Sequence, residues 1–197
     1  MLGLPKSTDC NHQLPKKAIY AKFRMDNTEK GKFDAEISRI SIVNEVTPAT
    51  TVLAEGTEIK DFFVLLVTLK RKEYDAKVIS QLPRLIEQNL ILLLEYSNEG
   101  RLAIYHGKLI CSPWRSLADC QLQLRGLDLD SVWENLIVQI GNINVKEGNT
   151  LTQQIEADTQ REKLEKEIER LERLARKEVQ PRKKYELVEK IRLLKQR

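Results

Sequence analysis

The stretch Asp61-Phe-Phe-Val-Leu-Leu-Val-Thr-Leu-Lys70 decides the fold of this chain. Six apolar residues run without interruption from Phe62 to Val67, and the segment then opens into Lys70, Arg71 and Lys72. A short apolar run rich in aromatic and β-branched residues reads as a strand buried on both faces. Such a strand lies inside a sheet, so the flanking elements have to cover it. The basic cluster at its exit is where polar chemistry can begin.

Upstream, residues 1 to 16 read as an irregular lead-in, and Pro15 opens a short helix with Ile19, Tyr20 and Phe23 on one face. Asp26 to Phe33 reads as a polar turn. Ile37 to Val46 alternates, with Ile40, Ile42 and Val46 on one side and Asn44 as the polar exception on that side. Thr50 to Leu53 reads as a short edge strand and Glu55-Gly56-Thr57 as a turn. Downstream, Asp75 caps a helix through Val78, Ile79, Leu82 and Ile86, which Pro83 is expected to bend. Leu90 to Leu94 is a second buried strand. Asn98-Glu99-Gly100 is a turn signal, and Arg101 to Cys111 returns as its hairpin partner. Gln121 to Leu124 alternates like one more strand. Ser131 with Glu134 reads as a capping box for a helix carrying Val132, Trp133, Leu136, Ile137 and Ile140, which Gly141 ends. The expected class is α+β: a mixed or largely antiparallel sheet with flanking helices over residues 1–145.

Residues 150–197 differ in kind. Thr150 and Gln153 form a capping box, and no Gly or Pro follows before Pro181. Leu164, Ile168, Leu171 and Ala175 are spaced four, three, four, the seam of a coiled coil. After Pro181, Leu187, Val188, Ile191 and Leu194 line a second amphipathic helix. The pattern allows an antiparallel hairpin or a kinked arm. The seam needs a cover: the second helix, the globular part, another protein, or a second copy of the chain. Residues 161–197 hold 14 Lys and Arg against 8 Asp and Glu, whereas residues 1–160 hold 19 against 21. The whole excess of positive charge, a formal net of +4 over 197 residues, therefore belongs to the arm.

The remaining totals exclude several classes. The apolar runs fall short of the ~20 residues that a membrane helix needs. Cys10, Cys111 and Cys120 match no zinc or redox spacing and follow no secretory segment, so reduced thiols and a cytoplasmic location are expected. There is no phosphate loop and no Gly-x-Ser-x-Gly elbow, and two histidines, His12 and His106, do not make a metal site. No catalytic residue, metal or cofactor is expected. A Mg²⁺-dependent nuclease would need acids and a lysine gathered on adjacent strands. Asp61, Lys70 and Glu73 flank the central strand, with Glu45 and Glu95 on its neighbours, but Thr68 stands where an acid two residues before the lysine would be. Lys16, Lys17, Lys70, Arg71, Lys72, Arg182, Lys183 and Lys184 are the candidates for non-specific phosphate contact.

Leu14-Pro15-Lys16-Lys17-Ala18-Ile19-Tyr20, then Asn44-Glu45-Val46-Thr47-Pro48-Ala49-Thr50 within 37–51, the unit 63–108, and Val132-Trp133-Glu134-Asn135 before the charged helices together resemble a bacterial family, domain of unknown function 4391. The resemblance spans nearly the whole chain. Members are often encoded beside DNA helicases and site-specific DNA methyltransferases, which implies a place in restriction-type or antiphage defence. The resemblance brings no catalytic residues. The expectation is thus a non-catalytic accessory subunit whose arm docks a helicase or methyltransferase through Leu164, Ile168, Leu171, Ala175, Leu187, Ile191 and Leu194, with basic residues on DNA backbone. The alternatives are the nuclease and a self-associating structural protein.

Overall fold

A computed structural model describes residues 2–84, 88–146 and 148–196. The central strand is there: β3 (Phe62–Leu69) lies between β2 (Ile37–Val46), antiparallel to it, and β4 (Asn89–Tyr96), parallel to it. The sheet runs β1 (Asp9–Gln13), β2, β3, β4, β5 (Glu99–His106), β6 (Lys108–Cys111), and β7 (Arg115–Ser116) pairs with β5. All pairings except β3–β4 are antiparallel, which makes the sheet mixed and the class α+β.

The two burial faces of β3 explain its sequence. Leu65, Val67 and Leu69 point into a core shared with Leu90, Leu92 and Leu94 of β4. That core also takes in Ile19 of α1 (Lys16–Lys22), Phe33 of α2 (Asn27–Glu36), and Val78 and Ile79 of α3 (Ala76–Gln81). On the other face Phe62 meets Trp133 of α4 (Leu129–Gly141), ring centroids 5.4 Å apart. Alternate residues along β3 thus meet helices on opposite sides, so both sets are apolar except Thr68 near the strand end, whose hydroxyl donates to Glu95.

Several local expectations are corrected. Asp26 to Phe33 is not a turn. Asp26 and Glu29 form a reciprocal capping box that starts α2, and Phe33 is its buried anchor. The lead-in contains β1, which Asn44 holds: its buried amide donates to Thr8 Oγ1 (2.9 Å) and Asp9 Oδ1 (3.0 Å). Register shifts near Ser38 and Val43 interrupt the strict alternation of β2, so Ser41 is buried while Ile42 is only partly so. Thr50–Leu53 is no strand, because Thr47, Thr50 and Thr51 fold it into a hydroxyl-bonded turn. Gln121–Leu124 pairs with no strand.

The β4–β5 turn residues are Ser97 and Asn98, both at positive φ, rather than Asn98-Glu99-Gly100. Gly100 sits inside β5, where a Cβ would come 2.7 Å from Cys120 Sγ. The run 101–111 breaks at Gly107, which turns β5 into β6. Asp128, not Ser131, caps α4, and Asn142, not Gly141, takes the left-handed conformation at its end. Pro83 lies in a single 3-10 turn that ends the α3 region (Ile86 is outside the described residues).

The chain divides into two compact units, Met1–Asn144 and Val145–Arg197. In the second, the Thr150/Gln153 capping box starts α5 (Leu151–Lys177), and α6 (Pro181–Lys195) returns antiparallel to it. Leu171, Ala175 and Ile191 are buried together, with Ile168, Leu187 and Leu194 packed around them. Lys195 Nζ reaches Glu172 at 2.8 Å. The arm is therefore a hairpin.

Candidate functional site

Five of the eight basic residues picked out in the sequence come to one edge of the sheet. Because β1 and β3 both run antiparallel to β2, the ends of β1 and β3 share an edge with the start of β2. Lys16 and Lys17 follow the end of β1, and Lys70, Arg71 and Lys72 follow β3. Acids meet them there. Lys16 Nζ bonds Asp34 Oδ1 and the carbonyl of Ile37, each at 2.6 Å. Arg71 pairs with the buried Glu36 carboxylate, which also accepts from the backbone N–H of Asp75 at 3.2 Å. Lys72 pairs with Glu99 at 2.5 Å.

Asp34 takes a second hydrogen bond from Tyr20 Oη at 2.6 Å. The Lys16 ammonium first, and the Tyr20 hydroxyl second, hold its carboxyl below the ordinary carboxylate range. Burial, and then the bond to Asp34, push the Tyr20 phenol up to about 12. Lys16 and Arg71 thus brace the fold at this edge, while Lys72 adds only a surface pair. Lys17 and Lys70 form no ion pair among the described residues and stand exposed.

The nuclease constellation does not assemble. Asp61 and Lys70 stand at opposite ends of β3, roughly 30 Å apart at strand rise. Glu45 pairs opposite Phe63 at the far end, while Glu95 lies opposite Thr68 at the near one. Among the described residues no group of three His, Cys, Asp or Glu side chains is placed to hold a metal ion.

The other three basic residues, Arg182, Lys183 and Lys184, open α6. The hairpin turn sets them beside Arg173, Arg176 and Lys177, which close α5. Residues 173–184 hold six cations and a single acid, Glu178. In the first turn of α6 no side chain caps the helix and no acid is present. Arg182 makes a surface pair with Glu186 at 3.5 Å, but cations at that positive pole each cost about 0.3–1 kcal/mol at low salt, so local stability does not explain Lys183 and Lys184. Arg173, Arg176 and Lys177 were absent from the sequence expectation. Their signal was the i, i+3, i+4 spacing that puts all three on one helix face just before a Pro-marked turn.

The expected partner-binding seam is mostly used within the hairpin. Ile168, Leu171, Ala175, Leu187, Ile191 and Leu194 cover one another, and Leu164 lies outside that cluster. Among the described residues of this unit the large apolar side chains left open are Val145, Leu174, Val179, Tyr185, Val188 and Leu193. No helix among the described residues is long and apolar enough to cross a membrane.

Fold and charge layout define the class: an α+β unit with an open mixed sheet, followed by a basic antiparallel helical hairpin. The chain belongs to the family described as Domain of unknown function (DUF4391), whose model matches residues 2–197. No curated protein and no solved structure matches it.

Proposed function

We propose that the protein is a non-catalytic accessory subunit of a bacterial DNA-processing or antiphage defence complex of the restriction type. Its hairpin tip rests on nucleic-acid backbone, and the outward apolar residues of the hairpin meet a helicase or DNA methyltransferase. The observation that carries the reading is the tip itself: six cations gathered by one turn, with one acid among them. Lys and Arg placed against phosphates release condensed counterions, which gives affinity without sequence preference. The defence setting and the kind of partner come from the family resemblance.

The test is the salt dependence of binding to a duplex. For the full-length protein, log K should fall linearly with log salt, by about 0.9 per phosphate contacted. Replacing Lys183 and Lys184 by Ala should make that slope shallower by about 1.8. It should leave the fold intact, because both side chains are exposed. An unchanged slope in the double variant, or no binding at low salt, refutes the assignment of the tip to nucleic acid.

A further inference from the structure

At the basic edge of the sheet, among the described residues, Lys17 and Lys70 are unpaired but exposed, whereas Arg101 is unpaired and sheltered. It lies half-buried in β5, and among the described residues it pairs with no carboxylate. Its Nε donates to the carbonyl of Ser112 at 2.7 Å and its Nη1 to Tyr74 Oη at 3.1 Å. Both acceptors are formally neutral. The guanidinium is held in place by them, and its remaining donors are left without a counter-charge. A partly buried cation without a counter-ion is unfavourable unless something anionic completes it.

What surrounds Arg101 is a cleft of about 510 Å³, within the usual range of small-molecule sites. The cleft is lined by residues 72–74 and 76, which follow β3, by Arg101 of β5 and by Leu109 and Cys111 of β6. Leu109, Cys111 and Trp114 form its apolar wall. Trp114 meets Tyr74 edge-on, ring centroids 6.4 Å apart. Two cations approach the indole: Lys72 Nζ at 5.6 Å and Arg101 Cζ at 5.8 Å from its centroid. The Lys72 ammonium is exposed and tied to Glu99. Glu73 is the acid on the rim, and its field falls on Arg71.

We propose that this cleft binds a nucleotide, the base lying against the indole of Trp114 and the phosphate taken by Arg101 and Lys72. A flat aromatic body suits the apolar wall, and an anionic group supplies the charge that Arg101 lacks. Phosphate alone would leave the wall wet, and a nucleoside alone would leave the guanidinium uncompensated. The inference is independent of the hairpin: either reading can fail while the other stands.

Tryptophan fluorescence of the full-length protein tests it. Trp133 is buried against Phe62 and forms a constant background, so a ligand at the cleft reports through Trp114. Titration with AMP should quench saturably in the sub-millimolar range. Adenosine and inorganic phosphate should each bind at least about tenfold more weakly, since each makes only half of the interactions. Lys72→Gln, an exposed change, should weaken AMP severalfold without altering the melting temperature. Arg101→Gln should weaken it by about tenfold or more. Trp114→Phe should remove the quench, with residual binding followed by calorimetry. A short oligonucleotide with a 5′-phosphate separates the sources: binding with the same Lys72 and Arg101 dependence assigns the cleft to a strand end, and AMP alone assigns it to a free nucleotide. Absence of a saturable change with AMP at millimolar concentration, or equal affinity for AMP and adenosine, overturns the proposal.

Discussion

Replacing Leu171 by Ala separates the geometry of the hairpin from its charge. Leu171 is 3% exposed and sits at the centre of the small cluster joining α5 to α6. The change removes three buried carbons, about 2.4 kcal/mol at ~0.8 kcal/mol each, and the cavity raises the cost to about 3 kcal/mol. Little else holds the helices together. The ion pair between them, Lys195–Glu172, is at the surface and contributes about 0–1 kcal/mol. A 15-residue helix such as α6 is marginal once its apolar side is uncovered. The variant should therefore lose roughly a fifth of its helical ellipticity, the share of α6 among the helices. Hydrogen exchange should speed up across residues 181–195 while residues 132–140 of α4 stay protected. Every cation remains in the sequence, yet the two basic clusters no longer face the same duplex. Affinity should then fall by about tenfold for each phosphate no longer reached, near 0.1 M salt. Unchanged protection over 181–195 would refute the view that this seam holds the hairpin. Loss of protection with full DNA affinity would refute the view that the turn assembles the binding surface.

The α/β unit gives three further tests. Gly56→Ala places a methyl group against the Asp130 carboxylate and 2.7 Å from the Ile59 carbonyl, where Asp130 holds the N–H groups of Thr57, Glu58 and Ile59. It should destabilise by about 1–3 kcal/mol in urea titration. Asn44→Ala deletes the two side-chain bonds that hold the start of β1 and should cost about 1–2 kcal/mol, with fraying of residues 9–13 visible by exchange. The Asp34 site should show itself at both ends of the pH range. A depressed carboxyl adds stability above its ordinary value of 3.8, and that stability is lost as pH falls through the lower folded value. The raised Tyr20 phenol adds stability below pH 10 that is lost as pH rises through about 12. Asp34→Asn should abolish the acid arm of the stability–pH curve and shallow the alkaline one only in part, since burial is the larger cause of the Tyr20 shift.

Which parts of this molecule were legible in the sequence follows from the range of the forces involved. β3, β4 and α4 were readable because burial against a sheet writes dense apolar patterns, which water-exposed segments do not carry. Short polar elements were not. β1 is five residues, largely exposed, and exists because a distant amide, Asn44, reaches back to it. α2 carries an Asp26/Glu29 signal, but Gly31 and a sparse apolar face masked the helix. The same limit governs the sites. The Arg182 to Lys184 cluster is contiguous and was visible, whereas its companions on α5 become neighbours only when the chain turns back. Lys16 and Arg71 looked like free cations because their acids lie 18 and 35 residues away in sequence. Arg101 was hidden for the opposite reason. Nothing in an alternating strand tells whether a cation has a counter-charge, because that depends on what the fold brings near it. Of the charged residues at this edge, the informative one is therefore the one whose partners in the fold are all neutral, and a count of basic residues cannot single it out.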